Sequence, residues 1–153
     1  MNIQIFIKDQ LLRGVLFVTL LGSCSIGYSQ QDPTQQLLGS WQLEETASFA
    51  SMDTQMRVRL DSLPQLHAQL LTAYRGRSTY FGSDGSYTVS LADGRSVTGR
   101  WQLTPAGELE LTDPAGNKSY QKIIGLDPTR LVLEPMNAGD FRSILKELHF
   151  IKR

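Results

Sequence analysis

From Gly76 onward the chain is cut into short runs by turn chemistry, and this punctuation constrains the fold more than any other feature. The dividers are Ser83-Asp84-Gly85, Ala92-Asp93-Gly94, Thr104-Pro105-Ala106-Gly107, Asp113-Pro114-Ala115-Gly116-Asn117 and Asp127-Pro128-Thr129. Glycine takes positive φ and proline presets the first corner of a turn, so each divider reverses the chain. The runs between them predict strands over 77–82, 86–91, 96–103, 108–112, 119–125 and 130–134. A looser loop around 136–140 precedes a last strand within 142–152. Leu37-Leu38-Gly39-Ser40-Trp41-Gln42-Leu43 adds an opening strand, with Leu37, Gly39, Trp41 and Leu43 on one face.

Strands joined in order by short turns are antiparallel neighbours, which makes a meander. Tyr87, Val89 and Leu91 oppose Ser86, Thr88 and Ser90. Leu109 and Leu111 oppose Glu108 and Glu110, which read as a solvated face. Val97, Gly99, Trp101 and Leu103 oppose Ser96, Arg100 and Gln102. The sheet thus has a dry face to cover. The roughly 124 residues after the leader do so most economically by closing on themselves. The expected fold is all-β, an eight-stranded antiparallel up-and-down barrel with a helical insertion after the first strand. Strand count alone leaves a two-sheet sandwich as the alternative.

In that insertion the period changes. Met52, Met56, Leu60, Leu63, Leu66, Leu70 and Tyr74 recur every three or four residues, which predicts an amphipathic helix over 51–75. Pro64 cannot sit in a helix interior, so two short helices or one kinked helix are expected. Ser62 is the expected cap of the second piece, and Gly76 after Arg75 its stop. The stripe reads as a lid or plug on the strands. Its polar face mixes Arg57, Arg59, Asp53 and Asp61, without the lysine bias of a membrane-surface helix.

The first 29 residues read as an export signal. Lys8 and Arg13 precede an apolar run, Gly14 through Leu21, that is too short for an ordinary membrane anchor, and small and polar residues follow. The n-region is long and itself apolar (Ile3, Ile5, Phe6, Ile7), which leaves a later in-frame start open. Two cleavage readings stand side by side. Gly27-Tyr28-Ser29 fits a soluble product beginning at Gln30, whereas Leu21-Gly22-Ser23-Cys24 resembles a bacterial lipobox ending at residue 23, with Cys24 acylated. The expected destination is the periplasm, the outer membrane as a lipoprotein, or the medium. Residues 30–36 read as a linker and 37–153 as the barrel domain.

Charge narrows the partners. The whole chain balances 15 Lys and Arg against 15 Asp and Glu, and without residues 1–29 it carries 13 basic and 14 acidic side chains. A chain this neutral has no electrostatic footprint for nucleic acid or anionic lipid, so membrane contact is expected only through Cys24. A lone cysteine excludes an internal disulfide framework.

Two segments echo each other, Gly39-Ser40-Trp41-Gln42-Leu43 and Gly99-Arg100-Trp101-Gln102-Leu103, and they hold both tryptophans. In each, the glycine is expected to let the indole lie over the backbone at a barrel bend. With Phe81-Gly82-Ser83-Asp84-Gly85-Ser86-Tyr87, the segment Ile124 through Leu133 and the closing His149-Phe150-Ile151-Lys152-Arg153, the chain resembles the lipocalin-like domain family of small exported bacterial proteins. The resemblance runs from about Leu37 to Arg153. It implies that Gly39 and Trp41 close one end of the barrel with Lys152 or Arg153 over the indole. Two departures stand out: the disulfides of larger relatives are missing, and the helix follows the first strand rather than preceding the last.

Chemistry is hard to assemble from these residues. His67 and His149 are far apart, and no nucleophile elbow, phosphate loop or carboxylate set with ligand spacing occurs. The expectation is a monomeric binding module, not an enzyme, with no metal and no cofactor. It would hold a small hydrophobic molecule in the barrel between Tyr87, Val89, Trp101, Leu109, Leu111, Leu131 and Leu133. The alternative is a filled barrel serving as a structural or protein-interaction domain of the cell envelope, with helix 52–74 as its plug.

Overall fold

Eight strands close into one antiparallel barrel in the computed structural model, which describes residues 32–136 and 144–153. They are β1 (Gly39–Leu43), β2 (Ser78–Phe81), β3 (Ser86–Ser90), β4 (Ser96–Leu103), β5 (Glu108–Thr112), β6 (Lys118–Leu126), β7 (Arg130–Met136) and β8 (Leu148–Lys152). Each pairs with its sequence neighbours, and β8 returns to β1 with Leu43 opposite Phe150 and Trp41 opposite Lys152. That return excludes the two-sheet sandwich. The expected leader, Cys24 and most of the expected 136–140 loop lie outside the described residues.

The turns close as their residues dictate. Asp84, Asp93, Asp113 and Asp127 each accept a hydrogen bond from the backbone N–H two residues on, at 2.8–3.0 Å. This side-chain turn fixes the reversal before any strand pairs. Gly85 supplies the positive φ (77°) that a side chain would resist.

Alternation then sorts the faces. Trp41, Leu43, Phe81, Tyr87, Trp101, Leu109, Leu111, Leu131, Leu133, Leu148 and Phe150 turn inward and form the core. β6 changes its parity at a bulge between Ile123 and Gly125, so that Ile123 and Leu126 pack on the core while Ile124 is exposed. The bulge bends the strand, as an extra residue must. Val97 departs from its expected dry face. It sits at the start of β4, beyond its neighbours' cover, and is 50% exposed.

Four helices occur among the described residues: α1 (Pro33–Leu37), α2 (Glu45–Ala50), α3 (Thr54–Asp61) and α4 (Pro64–Tyr74). α1 replaces the end of the expected linker and shortens the expected first strand, because Asp32 caps it and Pro33 opens it. α2 carries no readable period at six residues. Glu44 caps it by accepting from the Ala47 N–H at 2.8 Å. Its Ser48 and Ser51 hydroxyls bond the backbone of Glu147 and His149, fastening the helix to the start of β8.

The break at Pro64 is where the sequence places it, but Pro64 is the first residue of α4 and Ser62 ends α3 rather than capping its successor. Of the apolar stripe, Met52, Leu60 and Leu70 are buried. Leu63, at the tip between the helices, is 44% exposed.

Candidate functional site

The two ends of the barrel are built differently. α1 leads into β1 and lies at one end. The indole Nε1–H of Trp41 donates to the Leu37 carbonyl at 2.7 Å, and the Lys152 ammonium donates to the Gln36 carbonyl at 2.8 Å. The same Lys152 Nζ stands 4.8 Å from the centre of the Trp41 ring. Lys152, not the exposed Arg153, therefore takes the position over the indole. Gly39 (φ +107) has Lys152 Cε against it. Trp101 closes the same region: its Nε1–H donates to the Gly82 carbonyl at 3.0 Å, and it meets Phe81 edge-on at 5.3 Å. The ring against Gly99 belongs to Tyr87 rather than to an indole, which corrects that part of the sequence expectation.

At the opposite end β1 stops, β2 begins and the β3–β4 turn reverses, with α2 to α4 spanning from β1 to β2. From this end inward, Arg77 just before β2 and Thr79 and Phe81 on β2 face the barrel interior in alternation. Together with Val89, Leu111, Gln121, Leu131, Leu133 and Phe150 they line an interior chamber. The space within it open to a water centre is about 10 Å³, enough for about one water molecule. The wall is apolar except at three places: Arg77, Thr79 and Gln121.

Those polar groups are not spent on each other. Arg77 Nε and Gln121 Oε1 are both buried without a hydrogen-bond partner. The guanidinium carbon lies 5.8 Å from the Tyr74 ring, which in turn meets Phe49 edge-on at 6.4 Å. No carboxylate pairs with Arg77 among the described residues. Burial pulls its pKa below the ordinary arginine value, with Tyr74 and Tyr87 opposing, yet an arginine stays cationic in any protein environment. Burial also pushes the Tyr87 phenol up, helped by Asp113 and opposed by Arg77.

Of the seven expected wall residues, Val89, Leu111, Leu131 and Leu133 face this chamber. Tyr87, Trp101 and Leu109 are core residues elsewhere in the barrel. Sequence reading missed Arg77, Thr79, Phe81, Gln121 and Phe150. One signal for Arg77 was available, a charge in phase with Thr79 and the apolar Phe81 on the same strand. Glu110 departs from its expected solvated face. It is 7% exposed because Lys118 (2.8 Å) and Gln102 (3.0 Å) fold over it on the barrel exterior, and Lys118 above all holds its carboxyl below the usual range. His67 is exposed, and His149 bonds Glu147 at 2.8 Å.

The helices at this end are lightly held. α3 and α4, eight and eleven residues long, bury one side chain each, Leu60 and Leu70. Open grooves flank α4 on both sides. One of about 360 Å³ runs between it and α2, and one of about 430 Å³ between it and Ala92-Asp93 of the β3–β4 turn. Met56, Leu66 and Tyr74 add partly buried contacts with the core, and segments with few fully buried side chains open locally at lower cost than a barrel wall.

No protein-family model matches the chain, and no curated protein does. Among solved structures the chain is similar to a DUF4847 family protein from Bacteroides vulgatus ATCC 8482, at 17% identity and a TM-score of 0.41, over 76% of this chain and 92% of that one.

Proposed function

We propose that the protein is an exported binding module that takes a small, largely apolar molecule into the barrel from beneath α3 and α4. The observation that carries this reading is the chamber itself. An apolar wall with a few unspent polar groups is the usual make-up of a small-molecule site, and the Tyr74 ring at the end of α4 stands 5.8 Å from Arg77 in that wall. At rest the wall side chains fill the space, so a guest enters as those side chains and the helix beside Arg77 move apart. That helix buries little and so resists little.

A second reading has its own support. With about 10 Å³ open, the barrel also suits a filled structural or interaction domain of the envelope. Mass spectrometry of the purified protein, with titration of a fluorescent fatty acid, separates the two. A co-purified lipid, or saturable uptake with faster amide exchange in α3 and α4, supports the binder. Neither lipid nor uptake leaves the filled barrel standing. The anchor is tested separately: if Cys24 is acylated, Cys24→Ser moves the protein out of the membrane fraction, and an unchanged distribution removes the lipoprotein reading.

A further inference from the structure

We propose that the guest of the chamber is an anion, an amphiphile whose acidic head pairs with Arg77 while its chain lies along Val89, Leu111, Leu131 and Leu133. This rests on the binding-module reading and adds the charge and orientation of the ligand.

The inference starts from a charge without a counter-charge. A guanidinium cannot shed its proton to escape burial, so a covered cation must be paired or must weaken the fold. Arg77 has a covered Nε with no acceptor and only the face of Tyr74 as a partner. The tyrosine face offers a weak electrostatic contact and no hydrogen bond. If Arg77 were there for stability, its site would contain a carboxylate, as the Glu110 and Lys118 pair does on the barrel exterior. The charge is instead left unpaired in the wall of a chamber that is otherwise apolar except for Thr79 and Gln121.

Geometry says what fits. Nε and an Nη form one edge of the guanidinium fork, the edge that meets a carboxylate with two parallel hydrogen bonds. Gln121 Oε1 faces the same chamber as an unpartnered acceptor, so a hydroxyl beside the acidic head also gains a partner. A neutral guest leaves the guanidinium unpaired, and a cationic one meets like charge in a water-poor space. The preferred class is therefore a single-headed organic acid with an aliphatic body.

The test compares three probes of one chain length, decanoate, decanol and decyltrimethylammonium, by calorimetric titration at neutral pH on the wild-type protein and on Arg77→Met and Arg77→Lys. The wild type is expected to bind decanoate at least ~10-fold more tightly than decanol, the scale of a charge-assisted hydrogen bond, and decyltrimethylammonium least. Arg77→Met keeps the decanol affinity and loses the preference for decanoate. Without ligand it melts at or above the wild-type temperature, because an unpaired buried charge has been replaced by an apolar side chain. Arg77→Lys retains part of the preference, since charge remains but the fork is gone. Equal binding of decanoate and decanol by the wild type overturns the inference and leaves the binding module intact. No binding of any probe removes both. A ligand-free Arg77→Met that melts well below wild type overturns the inference too, by giving Arg77 a structural role, and the wild-type probe comparison stands independently of whether that variant folds.

Discussion

Gly99→Ala places a methyl group at the most crowded point of the described barrel wall. A Cβ built on Gly99 overlaps the Thr112 carbonyl oxygen and comes within 2.7 Å of Tyr87 Cε1 and 3.0 Å of its Cζ. Thr112 belongs to β5 and sits in the ladder opposite Arg100, so its carbonyl cannot retreat without breaking the β4–β5 register. The Tyr87 ring is core and has little room to swing. Gly99 does not adopt a positive φ, so the cost is steric and not conformational. Overpacking of this kind costs about 1–3 kcal/mol, and a backbone obstacle places it at the upper end. Alanine otherwise gains a little over glycine through the unfolded chain, about 0.4–1 kcal/mol, which leaves a net loss of roughly 2 kcal/mol. Gly107→Ala is the control. Its position (φ +79) has nothing within 4 Å, so it carries only the strain of a left-handed alanine, about 1–2 kcal/mol. Equilibrium urea unfolding of both variants gives the comparison, with near-ultraviolet circular dichroism reporting the Tyr87 environment. Gly99→Ala is expected to shift the aromatic signal and Gly107→Ala to leave it unchanged. A Gly99→Ala protein as stable as wild type with an unaltered aromatic signal would refute the packing described here.

Three further outcomes are expected. Leu109→Ala removes a fully buried side chain and should cost about 2–5 kcal/mol, whereas Val97→Ala should stay within about 0.5 kcal/mol; thermal or urea unfolding checks both. Lys152→Met loses the hydrogen bond to Gln36 and the cation over Trp41, about 1–2 kcal/mol together, while Arg153→Ala is neutral in the same assay; the reverse order would reassign the closing cation. Acid stability follows the turn aspartates: Asn117 side-chain bonding first, then backbone bonding, holds Asp113 below its ordinary 3.8, and Ser86 and Thr129 do the same for Asp84 and Asp127. A depressed folded pKa gives stability that is present above the unfolded value near 4 and lost as pH falls through the folded one. Asp113→Asn should therefore flatten the melting curve's dependence on pH below about 4, and an unchanged acid limb removes that assignment.

Much of the fold was legible because its signals are local. Each turn carries its own aspartate, proline or glycine, and two of the strands, β4 and β5, begin and end where the sequence places them. Closure was less legible, since the pairing of Trp41 with Lys152 spans the whole domain and leaves no local trace. The short helices were missed for a related reason. α1 and α2 have five and six residues, less than two turns, so no apolar period develops. The chamber was half legible. Its leucine and valine wall follows from alternation, but Arg77, read as the first residue of the strand 77–82, carries a charge that a strand end ordinarily turns to solvent. Only the closed barrel turns that position inward. Glu110 shows the converse: its parity points outward as read, and its burial comes from Gln102 and Lys118 on two neighbouring strands.

The uneven anchoring of the two ends bears on how such a barrel could work. At the α1 end five residues are fixed by a buried leucine, an indole hydrogen bond and a lysine reaching the helix carbonyl. Two longer helices at the other end contribute one buried leucine each. The second of them ends at Tyr74, whose ring stands 5.8 Å from Arg77, and Arg77 Nε has no hydrogen-bond partner. Opening this helical cap exposes few apolar contacts and hydrates Arg77, so the two costs partly offset each other. On the proposed reading, an acid entering at that moment pairs with Arg77 and lets the cap return. Low cap stability and an unpaired charge would then act together: the first would admit the proposed guest, and the second would hold it.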